Sequence, residues 1–365
     1  MRPTGELERR VRFTFLGVYG TLARSAIVVG LMAGCATSPP SPTVQLPAKA
    51  SVAPSATPTA IAPTASPSPT LPPTPTPRPR PERVLILSLD GLRPDAISAE
   101  RTPNILALAE AGAFTLTAQT VLPSATLMAH GSMLSGYDVD RHGLTWNDYL
   151  PDRGYIRTST LFSWAHDAGM RTEMVVSKQK LVHIAPPGTV DEFTSVPGGD
   201  FAVAEQADTA IADDFDILFV HFPGPDAAGH DSGWMSPIYL GTVGNTDKAV
   251  GQVLASLEAA GLREGTLIFL TADHGGHGML HGSDAPEDMT IPWIVAGPGV
   301  LAGTRLSTSV VVYDTAATAA WALGLSLPED LDGRPVLEAF GAVATAGRMS
   351  LFQRSSSPAM AAVVG

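Results

Sequence analysis

The sequence contains a single cysteine, Cys35, among 365 residues. One cysteine cannot form an intramolecular disulfide or a Cys-rich zinc cluster, so histidine and carboxylate would have to hold any transition metal. Basic residues are scarce after residue 81: residues 82–365 contain 15 of the 23 Lys and Arg but 33 of the 35 Asp and Glu, a net charge of about −18. Such an acidic surface repels a phosphate backbone, which excludes a general binder of nucleic-acid polymers.

The sequence also lacks a long apolar segment near its start. The apolar run at residues 26–34 follows several arginines and is too short to span a bilayer, so residues 1–34 are interpreted as a secretion signal. Its end, Leu31-Met32-Ala33-Gly34-Cys35, resembles the lipobox of bacterial lipoproteins, in which the cysteine is acylated. The resemblance implies an extracytoplasmic protein that is lipid-anchored to a bacterial membrane through Cys35. A generic signal peptide followed by a free thiol is the alternative.

Residues 35–81 are predicted to form a linker that carries the lipid-anchor cysteine at its start. Residues 36–81 are rich in Ser, Thr and Ala and contain 15 of the 32 prolines, so they cannot bury enough apolar surface to fold. Extended proline-rich chain rises about 3.1 Å per residue, so this spacer could hold a domain up to roughly 100 Å from a membrane. A single domain at 82–345 is expected to follow, and the tail at 346–365 has no assignment.

The body of the chain alternates apolar runs with amphipathic segments. Unbroken apolar runs, typical of strands buried on both faces, occur at residues 84–89, 216–221, 266–271 and 291–296. Helical patterns occur at residues 102–111, 126–134, 236–260 and 313–323. This alternation predicts an α/β layered fold with a mainly parallel central sheet flanked by helices. Residues 149–214, richer in Gly and Pro, are predicted to form a small cap or insert.

Three of the predicted strands end in residues that can bind metals. Asp90 follows the first strand, Asp226 and His230 follow the second, and Asp273-His274 follows the third. In parallel sheets ligands bind at the carboxyl ends of the strands, so residues distant in sequence can meet there. Each Asp or His alone is usually a turn or cap residue, but together they are ligands that suit zinc or manganese. Clustered acids of this kind would repel one another without a cation.

A hydroxyl nucleophile is offered by Thr126 at a predicted helix start. Backbone N–H groups and the helix dipole favour an anion at that position. A helix N-cap threonine is the alternative.

These motifs together resemble the alkaline phosphatase superfamily, and most closely its nucleotide pyrophosphatase/phosphodiesterase branch. They occur in the same order as in that family: Ser88-Leu89-Asp90-Gly91, Pro123-Ser124-Ala125-Thr126, His142-Gly143-Leu144-Thr145-Trp146-Asn147, Pro225-Asp226 with Gly229-His230, Thr271-Ala272-Asp273-His274-Gly275 and His281-Gly282-Ser283-Asp284. The resemblance implies an alkaline-phosphatase-like fold and two divalent metal ions, zinc or manganese.

The resemblance also assigns roles to residues. Asp226, His230 and His281 would hold one ion. Asp90, Asp273 and His274 would hold the other, with Thr126 as the nucleophile on it. Asn147 matches an asparagine that hydrogen-bonds a phosphoryl oxygen, and His277 competes with His281 for the last ligand position.

Two lysines follow a short apolar stretch, Lys178 and Lys180. The pair resembles lysines that phosphonoacetate hydrolases of this superfamily use for a substrate carboxylate. A solvated charge pair after a strand is the alternative.

The implied activity is metal-dependent hydrolysis of phosphodiester or phosphoanhydride bonds in small molecules, through a covalent phosphothreonine on Thr126. No arginine follows Thr126 closely enough to bind a second phosphate charge, which favours diesters over monoesters. Phosphonoacetate-hydrolase-like or phosphomonoesterase activity is one alternative. A catalytically silent, lipid-anchored binding protein is another. A sulfatase with a cysteine nucleophile is excluded, because the one cysteine, Cys35, lies outside the predicted domain at 82–345.

The lipid anchor gives a direct prediction. Cys35→Ser removes the acylation site, so we expect the protein to move from the membrane fraction to the soluble fraction when cell extracts are separated by ultracentrifugation. Continued membrane association of the variant would refute the anchor.

Overall fold

The computed structural model of the protein describes residues 79–341. The predicted signal peptide at 1–34, Cys35, the spacer up to residue 78 and the tail at 346–365 lie outside these residues. Within the described part of the chain, no helix has both the length and the apolar character needed to cross a membrane.

One eight-stranded sheet runs through the described residues, in the order β4-β3-β5-β1-β6-β7-β2-β8. The strands are β1 (Arg83–Leu89), β2 (Ala113–Gln119), β3 (Thr172–Val176), β4 (Glu192–Ser195), β5 (Ile217–Phe222), β6 (Thr266–Thr271), β7 (Thr290–Ala296) and β8 (Thr304–Arg305). The five strands from β4 to β6 are mutually parallel, whereas β7 runs antiparallel to both of its neighbours. The prediction of a mainly parallel sheet is therefore confirmed.

The central strands are mostly apolar and almost entirely buried. All residues of β5 and β6, and all of β1 except its first, are buried. Parallel strands covered on both faces need this continuous apolar pattern, because no side of the strand faces water.

Helices flank the sheet in two groups. The described helices are α1 (Pro103–Glu110), α2 (Thr126–Ser135), α3 (Val139–His142), α4 (Leu161–Asp167), α5 (Asp200–Ala212), α6 (Gly224–Ser232), α7 (Pro237–Ala259), α8 (Pro286–Met289) and α9 (Asp314–Leu323). Helices α1, α5 and α6 pack on α7, while α2 and α4 pack on α9. The four helices predicted from the sequence correspond to α1, α2, α7 and α9, which confirms them.

The prediction of a cap or insert at residues 149–214 is wrong. This segment supplies β3 and β4 to the central sheet and α5 to one helix layer. Strand β3 is short, and edge strand β4 (Glu192–Ser195) has no buried position, so neither shows the apolar run that marks the central strands. The order of the sheet places β3 beside β5, and its carboxyl end therefore belongs to the site described below.

A buried carboxylate joins the helices α7 and α1. Asp247 in α7 is 1% exposed and accepts hydrogen bonds from the backbone N–H groups of Asn104 and Ile105 at 3.2 and 2.9 Å, and from the Asn104 amide at 2.8 Å. The first turn of a helix has N–H groups without intrahelical partners, and its dipole favours a negative charge. Asp247 thus caps α1 from a neighbouring helix.

Asp247→Ala removes this cap and leaves two backbone donors without partners in the protein interior. We expect the free energy of unfolding, measured by urea titration followed by circular dichroism, to fall by about 2 kcal/mol. Glu258→Ala on an exposed position of the same helix is the matched control and should change it by less than about 0.5 kcal/mol. Equal effects of the two substitutions would contradict the capping role.

Candidate active site

The site lies where four parallel strands end side by side. In the order β3-β5-β1-β6, the segments just beyond each strand carry Lys178, the helix with Asp226 and His230, Asp90, and the pair Asp273-His274, respectively. Because adjacent strands are in register, with Ser88 of β1 opposite both His221 and Thr271, these segments leave the sheet at the same level. The topology therefore brings together residues that are far apart in the sequence.

A glycine allows two of the carboxylates to approach each other. Gly91 has φ +71°, and a Cβ at this position would lie 2.9 Å from the Cα of Asp226. The backbone N–H of Asp226 donates to the carbonyl of Asp90 at 2.8 Å across this contact. Any side chain at residue 91 would push α6 away from the end of β1 and separate Asp90 from Asp226.

Three carboxylates in the site each have one bonded oxygen and one buried oxygen without a hydrogen-bond partner. In Asp90, Oδ2 accepts from His221 at 2.8 Å and forms an ion pair with Lys178 Nζ at 2.6 Å; in Asp226, Oδ2 accepts from Lys178 at 2.6 Å. In Asp273, Oδ1 accepts from the backbone N–H groups of Gly91 and His274 at 3.1 and 3.0 Å. The buried atoms left without partners are Asp90 Oδ1, Asp226 Oδ1 and Asp273 Oδ2.

Three histidines present a lone pair to these oxygens. The Nδ1 atoms of His230, His274 and His281 lie 3.0, 2.8 and 2.8 Å from the backbone carbonyls of Met279, Gly275 and Ser124. A carbonyl only accepts hydrogen bonds, so each Nδ1 carries the proton and each Nε2 carries the lone pair. This is the arrangement by which proteins orient metal-binding histidines.

The Nε2 atoms and the unpartnered oxygens lie in contact with one another. Asp226 Oδ1 is 3.3 Å from His230 Nε2 and 3.6 Å from His281 Nε2. His274 Nε2 is 3.4 Å from Asp90 Oδ1 and 3.3 Å from Asp273 Oδ2, and it has no hydrogen-bond partner.

All six predicted ligands are therefore brought to one place. Asp226, His230 and His281 form one group whose ligand atoms lie within 4.8 Å of one another, and Asp90, Asp226 and His274 form a second. Asp273 belongs to the same cluster through its contact with His274.

His277, the alternative to His281, lies apart from this cluster. Its Nδ1 is 2.7 Å from Asp288, and its side chain is half exposed. The rings of His274 and His281, by contrast, stack with centroids 3.7 Å apart, which brings the two groups of ligands together.

Thr126 is the first residue of α2 and is buried beside the carboxylates. The N-cap of this helix is Ala125, so the alternative of an N-cap threonine is wrong. The Thr126 Oγ1 instead lies 3.3 Å from Lys178 Nζ, the same atom that bonds Asp90 and Asp226. The hydroxyl thus faces the cluster at a helix N-terminus.

The two lysines are not a solvated pair, so that alternative is wrong. Only 23% of the Lys178 side chain is exposed, and its Nζ bridges Asp90 and Asp226. Lys180 Nζ donates to Asn147 Oδ1 at 2.9 Å. Burial and the charge of Lys178 lower the pKa of Lys180.

Asn147 is held next to the start of α2. Its Oδ1 accepts from the Leu127 backbone N–H at 3.0 Å as well as from Lys180. Because both partners are donors, the atom facing them must be the amide oxygen, and the Asn147 Nδ2 group remains as a donor.

The carboxylates repel one another because they are close together and buried, and their pKa values are shifted. Although burial alone would raise the pKa of Asp90, the Lys178 ammonium and the His221 hydrogen bond hold it well below its usual value. Burial and the negative charge of Asp90 raise the pKa of Asp273 well above its usual value. Burial and the adjacent His274 lower the pKa of His281 to about 4, so its imidazole is neutral at neutral pH. One lysine does not balance three carboxylates, and divalent cations would supply the missing positive charge.

Two further buried histidines, His221 and His130, contact the site. His221 donates to Asp90, and His130 Nδ1 lies 2.8 Å from the Thr126 carbonyl while its Nε2 contacts Ser88 Oγ at 2.8 Å. The signal for His221 was its position at the end of a buried strand. This position predicts a contact with Asp90 only when the register of β5 against β1 is known. A single sequence does not give that register.

Comparisons with known proteins agree with this geometry. A model of the family described as type I phosphodiesterase / nucleotide pyrophosphatase matches residues 84–285. The structure of murine ectonucleotide pyrophosphatase/phosphodiesterase 5 has a TM-score of 0.59 to this protein at 15% identity, covering 69% of this chain and 97% of that one. This likeness confirms the alkaline-phosphatase-like fold.

Curated relatives match over shorter segments. Rat steryl-sulfatase is 33% identical over 138 residues, or 32% of this chain and 23% of that protein. A bis(5′-adenosyl)-triphosphatase of Xenopus laevis is 24% identical over 218 residues, or 53% of this chain and 47% of that protein. The chain spans less than a quarter of the length of the first curated relatives it matches. Since the family model covers more than half of the chain, the protein belongs to the type I phosphodiesterase/nucleotide pyrophosphatase family.

Proposed function

We propose that the protein hydrolyses phosphodiester or phosphoanhydride bonds in small molecules, with Thr126 as a covalent nucleophile beside two divalent metal ions. The observation that carries this proposal is the set of four buried, unpartnered ligand atoms next to the Thr126 hydroxyl. These atoms are Asp90 Oδ1, Asp226 Oδ1, Asp273 Oδ2 and His274 Nε2. Buried polar atoms are almost always hydrogen-bonded, so a cluster without partners is strong support for bound cations.

The residues fit two ions of the zinc or manganese type. Asp226, His230 and His281 would hold one, and Asp90, Asp273 and His274 the other, with Thr126 on the side of the second. Carboxylate oxygen and neutral imidazole are the donors these metals prefer. When bound, such ions lower the pKa of a coordinated hydroxyl and neutralise charge on a leaving oxygen.

The chain's own residues position the reaction. The Thr126 hydroxyl loses its proton to solvent as Oγ1 bonds phosphorus and the bond to the leaving oxygen breaks. Lys178 donates to Oγ1 and stabilises its negative charge. The Asn147 amide and the Thr126 backbone N–H would donate to the non-bridging oxygens, each contributing about 3 kcal/mol in the transition state. Water then breaks the phosphothreonine bond and restores the hydroxyl.

The relatives support this assignment. Murine ectonucleotide pyrophosphatase/phosphodiesterase 5 has an inactive threonine-to-alanine variant whose structure contains AMP. The Xenopus relative is a bis(5′-adenosyl)-triphosphatase, which acts on a phosphoanhydride. We therefore propose small phosphate esters or anhydrides as substrates. The lipobox-like sequence Leu31-Met32-Ala33-Gly34-Cys35 separately supports our proposal of an extracytoplasmic location with a lipid anchor at Cys35. A sulfatase with a cysteine nucleophile does not fit, because residue 126 is threonine.

The proposed function predicts a specific pattern of hydrolysis. Bis-p-nitrophenyl phosphate should be cleaved much faster than p-nitrophenyl phosphate, and EDTA should abolish both activities until zinc or manganese is restored. Thr126→Ala should lower the diester rate by at least about a thousandfold, since the nucleophile is lost. Thr126→Ser, which keeps the hydroxyl, is the matched control and should retain measurable activity.

Two results would contradict the proposal. Full activity of Thr126→Ala would exclude the covalent step. A metal-loaded protein of native stability that is inactive on both esters, and on a panel of nucleotides and phosphonates, would favour the silent binding protein.

A second candidate function is favoured by the two partly buried lysines. Lys178 is already bonded to Asp90 and Asp226, whereas Lys180 bonds only the uncharged Asn147 among the described residues. A second positive charge near Thr126 would bind a substrate with a second negative charge, such as a phosphomonoester or phosphonoacetate. The absence of a nearby arginine in the sequence therefore does not settle the preference for diesters.

Lys180→Met separates the two functions. If Lys180 binds a second substrate charge, kcat/KM for p-nitrophenyl phosphate or phosphonoacetate should fall about tenfold to a hundredfold, while kcat/KM for the diester should change by less than about threefold. Lys248→Met, on the solvent side of α7, is the control and should change neither. An equal loss on both substrate classes would contradict a role for Lys180 in selecting charge.

A further inference from the structure

His221 is a fully buried histidine of β5 whose hydrogen bonds fix its tautomer. Its Nδ1 faces two groups of Ser177, the Oγ at 3.0 Å and the backbone N–H at 3.4 Å. The backbone N–H can only donate, so Nδ1 must accept and the ring proton must lie on Nε2. That Nε2–H points at Asp90 Oδ2, 2.8 Å away.

This tautomer is the opposite of the one found in the three clustered histidines. His230, His274 and His281 direct Nδ1–H at carbonyls and keep the Nε2 lone pair. His221 keeps the lone pair on Nδ1 and presents a donor to the cluster. It cannot ligate a metal in this arrangement, and it acts on the carboxylate instead.

The hydrogen bond determines which oxygen of Asp90 is available. Asp90 Oδ2 accepts the His221 hydrogen bond and forms an ion pair with Lys178, while Oδ1 has no hydrogen-bond partner and lies 3.4 Å from His274 Nε2. Rotation of the carboxylate would exchange the two oxygens and break both the hydrogen bond and the ion pair. His221 is anchored in the sheet opposite Ser88, two residues before Asp90, so its position is fixed by strand pairing.

We propose that His221, oriented by Ser177, is a positioning residue that presents Asp90 Oδ1 to the metal ion on the Thr126 side of the site. This inference rests on the proposed two-metal function. Partners of metal-binding carboxylates typically change metal affinity by about tenfold to a hundredfold. We expect an effect of that size on the affinity for one of the two ions, because among the assigned ligands in the described residues His221 hydrogen-bonds only Asp90.

The experiment measures zinc binding by the full-length protein, by titration against a chelating dye and by metal analysis after dialysis. His221→Leu should lower the affinity for one of the two zinc ions by about tenfold to a hundredfold and change the affinity for the other by less than about threefold. His221→Gln can place an amide N–H near the position of Nε2 and should recover most of that loss. Ser177→Ala removes the hydroxyl that contacts His221 Nδ1 and has little effect on packing. It should lower the affinity for the same zinc ion by a smaller factor.

His142→Leu is the matched control. His142 is equally buried and has a closely similar environment, with Ser132 Oγ at 3.1 Å from Nε2 and the Leu144 backbone N–H donating to Nδ1 at 3.1 Å, but it bonds none of the clustered carboxylates. Its loss should lower thermal stability and leave both zinc affinities unchanged.

The outcomes distinguish this inference from the proposed function. If the unmodified protein binds no divalent ion, the proposed function fails and this inference fails with it. If the unmodified protein binds two ions and His221→Leu binds both with unchanged affinity, only the role of His221 is refuted. If His221→Leu and His142→Leu lower both zinc affinities equally, the substitutions act by loosening the fold in general. That result would also refute the role of His221. If His221→Leu does not fold, unchanged zinc affinities in Ser177→Ala would refute the role as well.

Discussion

The arrangement of the site depends on one constraint: three carboxylates are packed together where water cannot screen them. Asp90 and Asp273 are fully buried and Asp226 nearly so, and one ammonium, Lys178, bridges two of them. Each carboxylate has one oxygen satisfied by the protein and the other turned toward a histidine lone pair. Such crowding is unfavourable for the protein alone, and it becomes favourable once divalent charge is shared among the acids.

The fold makes this crowding possible because four parallel strands end at one level. Neighbouring strands hold their last residues about 5 Å apart, so residues that follow them need only short loops to meet. Gly91 removes the one Cβ that would hold Asp90 and Asp226 apart. The buried strands beneath therefore provide a rigid base, and the clustered carboxylates of the site lie beyond its edge.

The central strands and long helices could be predicted from the sequence because their apolar patterns are strong and local. The cluster of Asp and His side chains could be predicted because its residues follow those strands in recognisable motifs. Strands β3 and β4 could not, because they are short and their pairing partners lie elsewhere in the chain. The roles of Lys178 and His221 depend on strand order and register, because Lys178 follows β3 and His221 lies in β5, and both contact Asp90. A local sequence pattern does not indicate which strands are neighbours.

The two ends of the cluster differ in their access to water. Asp90, Asp273 and His274 are completely enclosed, whereas 43% of the His230 side chain is exposed. A cation arriving from bulk solvent would therefore meet the outer histidine before the inner acids, and a departing one would leave by the same route. Exchange of a cation with bulk solvent would therefore be faster at the exposed histidine than at the enclosed acids.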